Sequence, residues 1–166
     1  MIVEQVGVSP SGIPVYKTDR VGIMACCVRT ADILPFQVWG VDRDKEFAIL
    51  IDEPFFKLGK KQFEALIGHE EAHAINGDLT SGAPVNEHGI LVVPEFELRA
   101  DAHAVAVTGD AKHMLDVLKF VKTVATVGLA VAVIIRKTSI KEAWNAYRGI
   151  SEELAPRVKA LKALKK

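Results

Sequence analysis

Short hydrophobic runs separated by turn residues fill the first third of the chain. Five runs rich in Val, Ile and aromatic residues are bounded by Pro, Gly and Asp, which is typical of β-strands. They cover residues 2–8, 13–17, 21–29, 36–41 and 47–52. The last two, FQVWGV and EFAILI, flank the charged tetrapeptide DRDK and predict a hairpin.

From residue 57 onwards, the apolar residues instead recur three and four positions apart, which is the period of an α-helix. This spacing predicts a helix of about four turns that ends at Asn76-Gly77, a typical C-terminal cap. An alanine-rich helix follows over residues 95–107, and Thr108-Gly109-Asp110 interrupts it. The remaining residues predict three further helices, the last of them basic.

The order of these elements and the composition define the class of fold. Strands followed by helices indicate an α+β fold with an antiparallel or mixed sheet. A chain of 166 residues, 49% of them hydrophobic, can bury a core without disulfide or metal support. We therefore predict a single domain that is strand-rich over residues 1–56 and helical over residues 57–166.

The charge balance and the cysteines indicate the cellular setting. Twenty-one basic side chains balance 21 acidic ones, so no long-range field attracts nucleic acid and we predict no nucleic-acid partner. Cys26 and Cys27 are adjacent, and adjacent side chains of an extended chain point to opposite faces and do not readily form a disulfide. The first eight residues include Glu4 and lack the basic start of a signal peptide. We predict a cytoplasmic protein.

Two C-terminal segments bear on membrane association. Thr123–Ile135 is apolar apart from two threonines, and as a helix it would span about 20 Å, less than the ~30 Å hydrocarbon core of a bilayer. We expect a buried core helix there, with a membrane span as the alternative. The basic segment Lys159–Lys166 is expected to be a solvated helix end, with an interfacial helix as the alternative. The oligomeric state is not predicted.

The clearest chemical signal is His69-Glu70-Glu71-Ala72-His73, an H-E-x-x-H sequence inside the first predicted helix. Residues four apart lie about 40° apart around a helix. His69 and His73 therefore project from one face and can bind one metal ion, with Glu70 at the flank of that face. Glu71 points away, and we expect a solvated charge there. A metal site needs a third ligand.

The second predicted helix supplies candidates for that ligand. Glu97 and Asp101 share a helix face, so Glu97 could bind the metal while Asp101 accepts a ring N–H from a ligating histidine. Glu95 is an alternative ligand, but it lies about 200° from Glu97 around the helix and lacks an acidic partner four residues on. We expect His103, about 120° off the Glu97 line, to be a packed or surface histidine. Two histidines and one carboxylate leave a position for water, as in catalytic zinc sites.

The runs IGHEEAHAINGD and ELRADAHAVAVTGD resemble the gluzincin zinc endopeptidases, specifically the family of HtpX-type and CaaX-prenyl proteases. That family combines H-E-x-x-H with a later E-x-x-A-D and an alanine-rich helix that ends near T-G-D. PFQVWG and EFAILID resemble its substrate-flanking edge hairpin, and Ala155-Pro156-Arg157-Val158 resembles its C-terminal arginine helix. The ImmA/IrrE-type proteases resemble the chain less, because they typically carry asparagine where Asp101 stands.

The resemblance implies a role for each matching residue. One zinc ion per chain would be held by His69, His73 and Glu97, with Glu70 as the general base. Asp101 would contact a zinc-binding residue without binding the ion itself, and so would Asp78, five residues after His73. The substrate would contact the edge hairpin at Phe36, Gln37, Val38, Trp39 and Gly40.

Two places depart from the family pattern. Many relatives have an asparagine at the start of the edge strand and a His-Pro pair before the C-terminal helix, which stabilise the oxyanion or hold substrate. This chain has Pro35 and Ser151-Glu152-Glu153 at those places. Arg148 and Tyr147 lie just upstream, and we hypothesise that one of them donates to the oxyanion instead.

The predicted function is that of a zinc-dependent endopeptidase acting on a peptide or protein substrate. A zinc-bound water would attack the peptide bond while Glu70 accepts its proton. The substrate would lie extended along the edge strand 36–41. The alternatives are a weakly active or inactive zinc protein with a regulatory or scaffold role, a small-molecule metallohydrolase, and an ImmA/IrrE-type regulatory protease.

Overall fold

The computed structural model describes residues 1–20, 25–33, 38–79, 93–135 and 137–164. Within these residues a mixed four-stranded sheet precedes four α-helices, which confirms the predicted α+β fold. The strands are β1 (Val3–Val8), β2 (Pro14–Thr18), β3 (Ala25–Arg29) and β4 (Phe47–Ile51). The helices are α1 (Lys60–Ile75), α2 (Pro94–Thr108), α3 (Ala111–Ile134) and α4 (Ile140–Leu164).

The strand order in the sheet is β1-β2-β4-β3, with β4 in the interior. β4 pairs in parallel with β2 and antiparallel with β3, while β1 pairs antiparallel with β2. Because successive side chains alternate between faces, Ile49 and Ile51 pack toward the helices, and Ala48 and Leu50 pack into a second cluster with Val38. β4 is thus covered on both faces.

The predicted hairpin between residues 36–41 and 47–52 is wrong. β4 is already paired on both sides, so it has no free edge to offer a third partner. Trp39 instead forms a single bridge to Ile2, where its carbonyl oxygen accepts a hydrogen bond from the Val3 N–H at 3.0 Å. Residues 38–40 therefore lie on the outer side of β1, at the opposite edge of the sheet from β3 and four strand spacings, or about 19 Å, from it.

The expectation of a buried core helix at Thr123–Ile135 is also wrong. Buried residues of α3 cluster in its first half, from Ala111 to Leu118, and in the second half only Ala125 is buried. Among the described residues, α3 is the one helix whose length and apolar composition would suffice to cross a membrane. Its second half instead packs on one side against α4 and leaves the other side exposed.

The C-terminal part of the described chain forms two long helices instead of the predicted three. Asp110 caps α3, because its carboxylate accepts a hydrogen bond from the Lys112 N–H at 2.7 Å. α4 continues through Pro156, which lacks a backbone donor but does not end the helix here. Leu154 and Leu161 anchor α4 in the main core.

We predict that Gly40 is needed for its backbone conformation. Its φ of 100° is one that L-residues rarely adopt, and a Cβ there would lie 2.6 Å from the Val3 carbonyl oxygen. Gly40→Ala should therefore lower the free energy of unfolding by about 2 kcal/mol or more, as measured by urea denaturation. Gly149 lies inside α4, and a Cβ there would meet no atom within 4 Å. Gly149→Ala should therefore raise the free energy of unfolding by up to about 1 kcal/mol. Equal effects of the two changes would contradict this account.

Candidate metal centre

The end of α1 positions one of the candidate ligands. α1 stops at Asn76, and Gly77 has the left-handed φ of 71° that allows the chain to reverse. The Gly77 N–H donates to Ala74 C=O at 3.1 Å and the Asp78 N–H donates to His73 C=O at 2.9 Å, which is the Schellman pattern. The same turn brings the Asp78 carboxylate to 3.0 Å from His73 Nδ1. The cap predicted at Asn76-Gly77 thus also orients a histidine.

Small residues let α1 and α2 approach closely. A Cβ on Gly68 would lie 3.4 Å from Ala104 Cα, so no side chain larger than a methyl group fits there without moving α2. Ala100 and Ala104 are fully buried in the same contact. Because the helices run antiparallel, His69 lies opposite Asp101 while His73 lies opposite Glu97.

The ligand atoms of His69, His73 and Glu97 lie within 4.8 Å of one another. His69 Nε2 is 3.4 Å from Glu97 Oε2, and His73 Nε2 is 3.5 Å from Glu97 Oε1. These separations are longer than good hydrogen bonds of about 2.7–3.2 Å. They match the about 3.3–3.4 Å expected between two ligands of one tetrahedral zinc ion with bonds of 2.0–2.1 Å. Each histidine nitrogen thus lies at such a distance from one Glu97 oxygen, and the three side chains could hold one ion.

The outer nitrogen of each ring faces its own buried carboxylate. His69 Nδ1 lies 3.0 Å from Asp101 Oδ1, and His73 Nδ1 lies 3.0 Å from Asp78 Oδ2. Both aspartates are 1% exposed, so water does not compete for these contacts. Such bonds fix the tautomer that leaves Nε2 free for a metal. The structure thus brings Asp101 beside His69 and Asp78 beside His73.

Arg157 of α4 is part of the centre, although the sequence assigned it no role. Its Nε and Nη2 donate to the two carboxylate oxygens of Asp101 at 2.8 and 2.7 Å, and its Nη1 lies 2.7 Å from Glu97 Oε2. Arg157 lies three residues after Leu154 and four before Leu161, both buried. The resemblance of its segment to an arginine helix and its charge inside an apolar helical stripe were the available signals, but no spacing rule links it to Asp101, 56 positions earlier.

The charges of the centre leave room for a cation. Glu97, Asp101 and Asp78 contact the rings, and with Glu70 they make four carboxylates against the two guanidinium groups of Arg157 and Arg99. If all are ionised, two negative charges are in surplus. A divalent ion would neutralise them.

The negative charge of the centre shifts the pKa of His69, and the cationic groups beside Asp101 shift the pKa of that carboxyl. Burial lowers the pKa of His69, but its contacts with the Asp101 and Glu97 carboxylates outweigh burial and raise it to about 9. Burial also opposes ionisation of Asp101, yet bonds from Arg157 and His69 hold the pKa of that carboxyl below its usual value. Without a metal, a proton on His69 thus supplies part of the missing positive charge.

The side chain of Glu70 extends from α1 to the edge strand β3. It is buried, and its Oε2 accepts a hydrogen bond from the Cys27 N–H at 3.0 Å. The Cys27 N–H thus points away from β4, toward the open edge of β3. The neighbouring thiol is not a candidate ligand at neutral pH, because burial and the Glu70 and Asp52 carboxylates raise the pKa of Cys26 to about 12.

The expectation that Glu71 is a solvated charge is wrong. Glu71 is 1% exposed, because α1 packs beneath the β1–β2 turn and against α2. One of its oxygens accepts the Ser11 N–H at 3.1 Å, and the other lies 3.2 Å from His103 Nε2. Glu71 and His103 therefore join α1 to its neighbours and have no contact with the ligand group among the described residues.

Several predicted site residues lie elsewhere. Phe36 and Gln37 fall outside the described residues, and Val38, Trp39 and Gly40 lie at the β1 edge, across the sheet from Glu70.

The two hypothesised oxyanion donors are also far from the ligand group. Arg148 pairs with Glu152 at the surface, and Tyr147 stacks on Trp144. They are about 14 and 15 Å along the α4 axis from Arg157, so the structure does not bring them to the metal centre.

Comparison with known protein families, curated proteins and solved structures finds no match to this chain. The similarity to zinc proteases therefore rests on the residues of the two motifs.

We expect the purified protein to bind one zinc ion per chain, measured by elemental analysis and by competition with a chelator. Loss of a residue that only hydrogen-bonds to a metal ligand typically weakens binding by about 10–100-fold. Glu97→Gln should weaken zinc binding by more than this, because it removes a ligand. Glu95→Gln is the matched control, since Glu95 is exposed on the same turn of α2. Equal zinc affinity in the two variants would rule out Glu97 as the third ligand.

Arg157→Met should destabilise the metal-free protein by about 3–5 kcal/mol, because it leaves two largely buried carboxylates without their cation. Saturating zinc should reduce this loss, since the ion would face Glu97. Arg148→Met, which breaks an exposed pair, should cost less than about 1 kcal/mol in either state. Chemical denaturation of both variants and of the unchanged protein, with and without zinc, measures these effects. An Arg157→Met loss of stability that zinc leaves unchanged would contradict this electrostatic role.

Proposed function

We propose that the protein is a zinc-dependent endopeptidase. The observation that supports it most directly is the convergence of His69, His73 and Glu97, whose candidate ligand atoms lie within 4.8 Å of one another while each ring contacts a buried carboxylate. Two histidines and one carboxylate are the donor set of catalytic zinc sites that keep a position open. The resemblance of both motifs to HtpX-type and CaaX-prenyl proteases supports the same reaction, with ImmA/IrrE-type proteases second.

Each residue has a part in this proposal. Zinc, when bound, would lower the pKa of a water molecule and polarise the scissile carbonyl. Glu70 would accept the proton of the attacking water and transfer it to the leaving amine. The Cys27 N–H holds one oxygen of that carboxylate and so orients it. Asp101, Asp78 and Arg157 would position the ligands.

The substrate would lie along β3, instead of along residues 36–41. β3 pairs only with β4 within the described sheet, so its other edge offers backbone groups to an extended peptide, apart from the Cys27 N–H, which donates to Glu70. Glu70 already contacts this edge at Cys27. A peptide added there would place its backbone beside the general base. Because this pairing uses backbone groups, it would accept many sequences.

The competing proposals differ in what the centre does with zinc. An inactive regulatory or scaffold protein would bind the ion without turnover, and a small-molecule metallohydrolase would leave proteins intact. Arg157 is committed to Asp101 and Glu97, so we do not propose it as the oxyanion donor. A cytoplasmic location remains part of the proposal, in keeping with two free thiols.

We expect Glu70→Gln to retain zinc and to lower cleavage of an unfolded protein substrate by about 10²–10⁴-fold, because it removes the general base. Chelation should abolish cleavage by the unchanged protein, and zinc should restore it. Glu95→Gln should cleave normally, which controls for loss of a carboxylate near the centre. Full activity in Glu70→Gln would exclude this mechanism, and no cleavage by zinc-loaded unchanged protein would favour the inactive alternative.

A further inference from the structure

The second half of α3 and the first turns of α4 expose more apolar surface than the rest of the helical part. We call residues 123–135 and 140–148 the hairpin tip. Its exposed large side chains are 48–77% accessible and are Val127, Val131, Ile134, Ile135, Ile140 and Trp144. Val127, Val131 and Ile134 are spaced four and three apart, so they form one stripe on the side of α3 that faces away from α4. An apolar stripe of this kind needs a partner.

The geometry of α3 restricts what that partner can be. The first part of α3 belongs to the domain core, where Met114, Val117 and Leu118 are buried. Only residues 123–135, about 20 Å of helix, remain available, which is less than the ~30 Å needed to cross a bilayer. The folded domain can therefore present the stripe to a membrane surface but cannot span it with α3.

The charge around the tip distinguishes a lipid surface from a second copy of the chain. Residues 116–152 contain six Lys or Arg residues and three acidic residues, Asp116, Glu142 and Glu152, although the whole chain is neutral. A symmetric dimer through the stripe would bring these positive charges together. An anionic bilayer would instead attract them, by about 1 kcal/mol for each Lys or Arg near the surface.

The aromatic residues of the tip suit the same setting. Trp144 is 61% exposed and stacks on Tyr147, with 5.7 Å between the ring centroids. The Lys122 ammonium lies 5.2 Å from the Tyr147 ring centroid. Amphipathic aromatic rings next to basic side chains are enriched at the headgroup level of membranes.

We propose that the hairpin tip binds the surface of membranes that contain anionic lipid. The α3 stripe would lie in the plane of the interface, at the boundary between headgroups and acyl chains, and the basic residues would contact lipid phosphates. This inference does not depend on the proposed peptidase activity, because it uses no residue of the metal centre.

Co-sedimentation of the full chain with vesicles tests the proposal. We expect binding to vesicles of 70% phosphatidylcholine and 30% phosphatidylglycerol at 0.1 M salt, and at least about tenfold weaker partition to pure phosphatidylcholine. Val131→Asp should weaken binding at least about tenfold, because it places a charge in the stripe. Val8→Asp, at an exposed valine on β1, should bind as the unchanged protein does. No binding to anionic vesicles, or equal loss in both variants, would overturn the proposal.

Tryptophan fluorescence locates the contact independently. The chain has two tryptophans, Trp39 on the sheet and Trp144 at the tip, so Trp39→Phe leaves one reporter. Its emission should shift to shorter wavelength when anionic vesicles are added, and an unchanged spectrum on bound protein would contradict contact through the tip. Light scattering without lipid should give the mass of one chain. A stable dimer that Val131→Asp dissociates, with no vesicle binding, would replace the membrane proposal with self-association.

Discussion

The candidate metal centre depends on how closely α1 packs against α2. Gly68 and the buried Ala100 and Ala104 remove side-chain bulk from this contact, so the two backbones approach each other. Once they are close and antiparallel, the four-residue spacings on the two helices coincide. The His69/His73 pair then meets the Asp101/Glu97 pair in opposite chain order. A larger residue at position 68 would push α1 and α2 apart. It would thereby separate the two histidines from the two carboxylates even though none of these four residues had changed.

That close approach concentrates negative charge in a buried place, and the rest of the fold compensates for it. α4 contributes Arg157, which is held in the core between Leu154 and Leu161, and α2 contributes Arg99 to Asp78. The remaining surplus raises the pKa of His69 to about 9, in spite of the desolvation that opposes its charging. A centre that holds a proton this strongly without metal is suited to a divalent cation, which would replace the proton.

α4 also connects the two functional proposals. Arg157 lies in the metal centre and Trp144 lies at the hairpin tip, about 20 Å apart along the same helix. A membrane bound at the tip would therefore hold the centre at a set height above the lipid surface. The net charge of the chain does not indicate the basic hairpin tip, because acidic residues elsewhere balance the excess of basic residues there.

Local sequence patterns determined the α+β order, the ends of α1 and α2, and the faces that carry His69, His73, Glu97 and Asp101, because helix periodicity and caps are properties of adjacent residues. Only the tertiary structure decided the partners of β4, the burial of Glu71, the entry of Arg157 and the exposure of α3. Each of these depends on which distant segment packs against a given side chain, and hydrophobic spacing does not encode that choice. Residues 36–41 show the difference: they have the pattern of a strand, yet among the described residues it is β3 that has an unpaired edge beside Glu70.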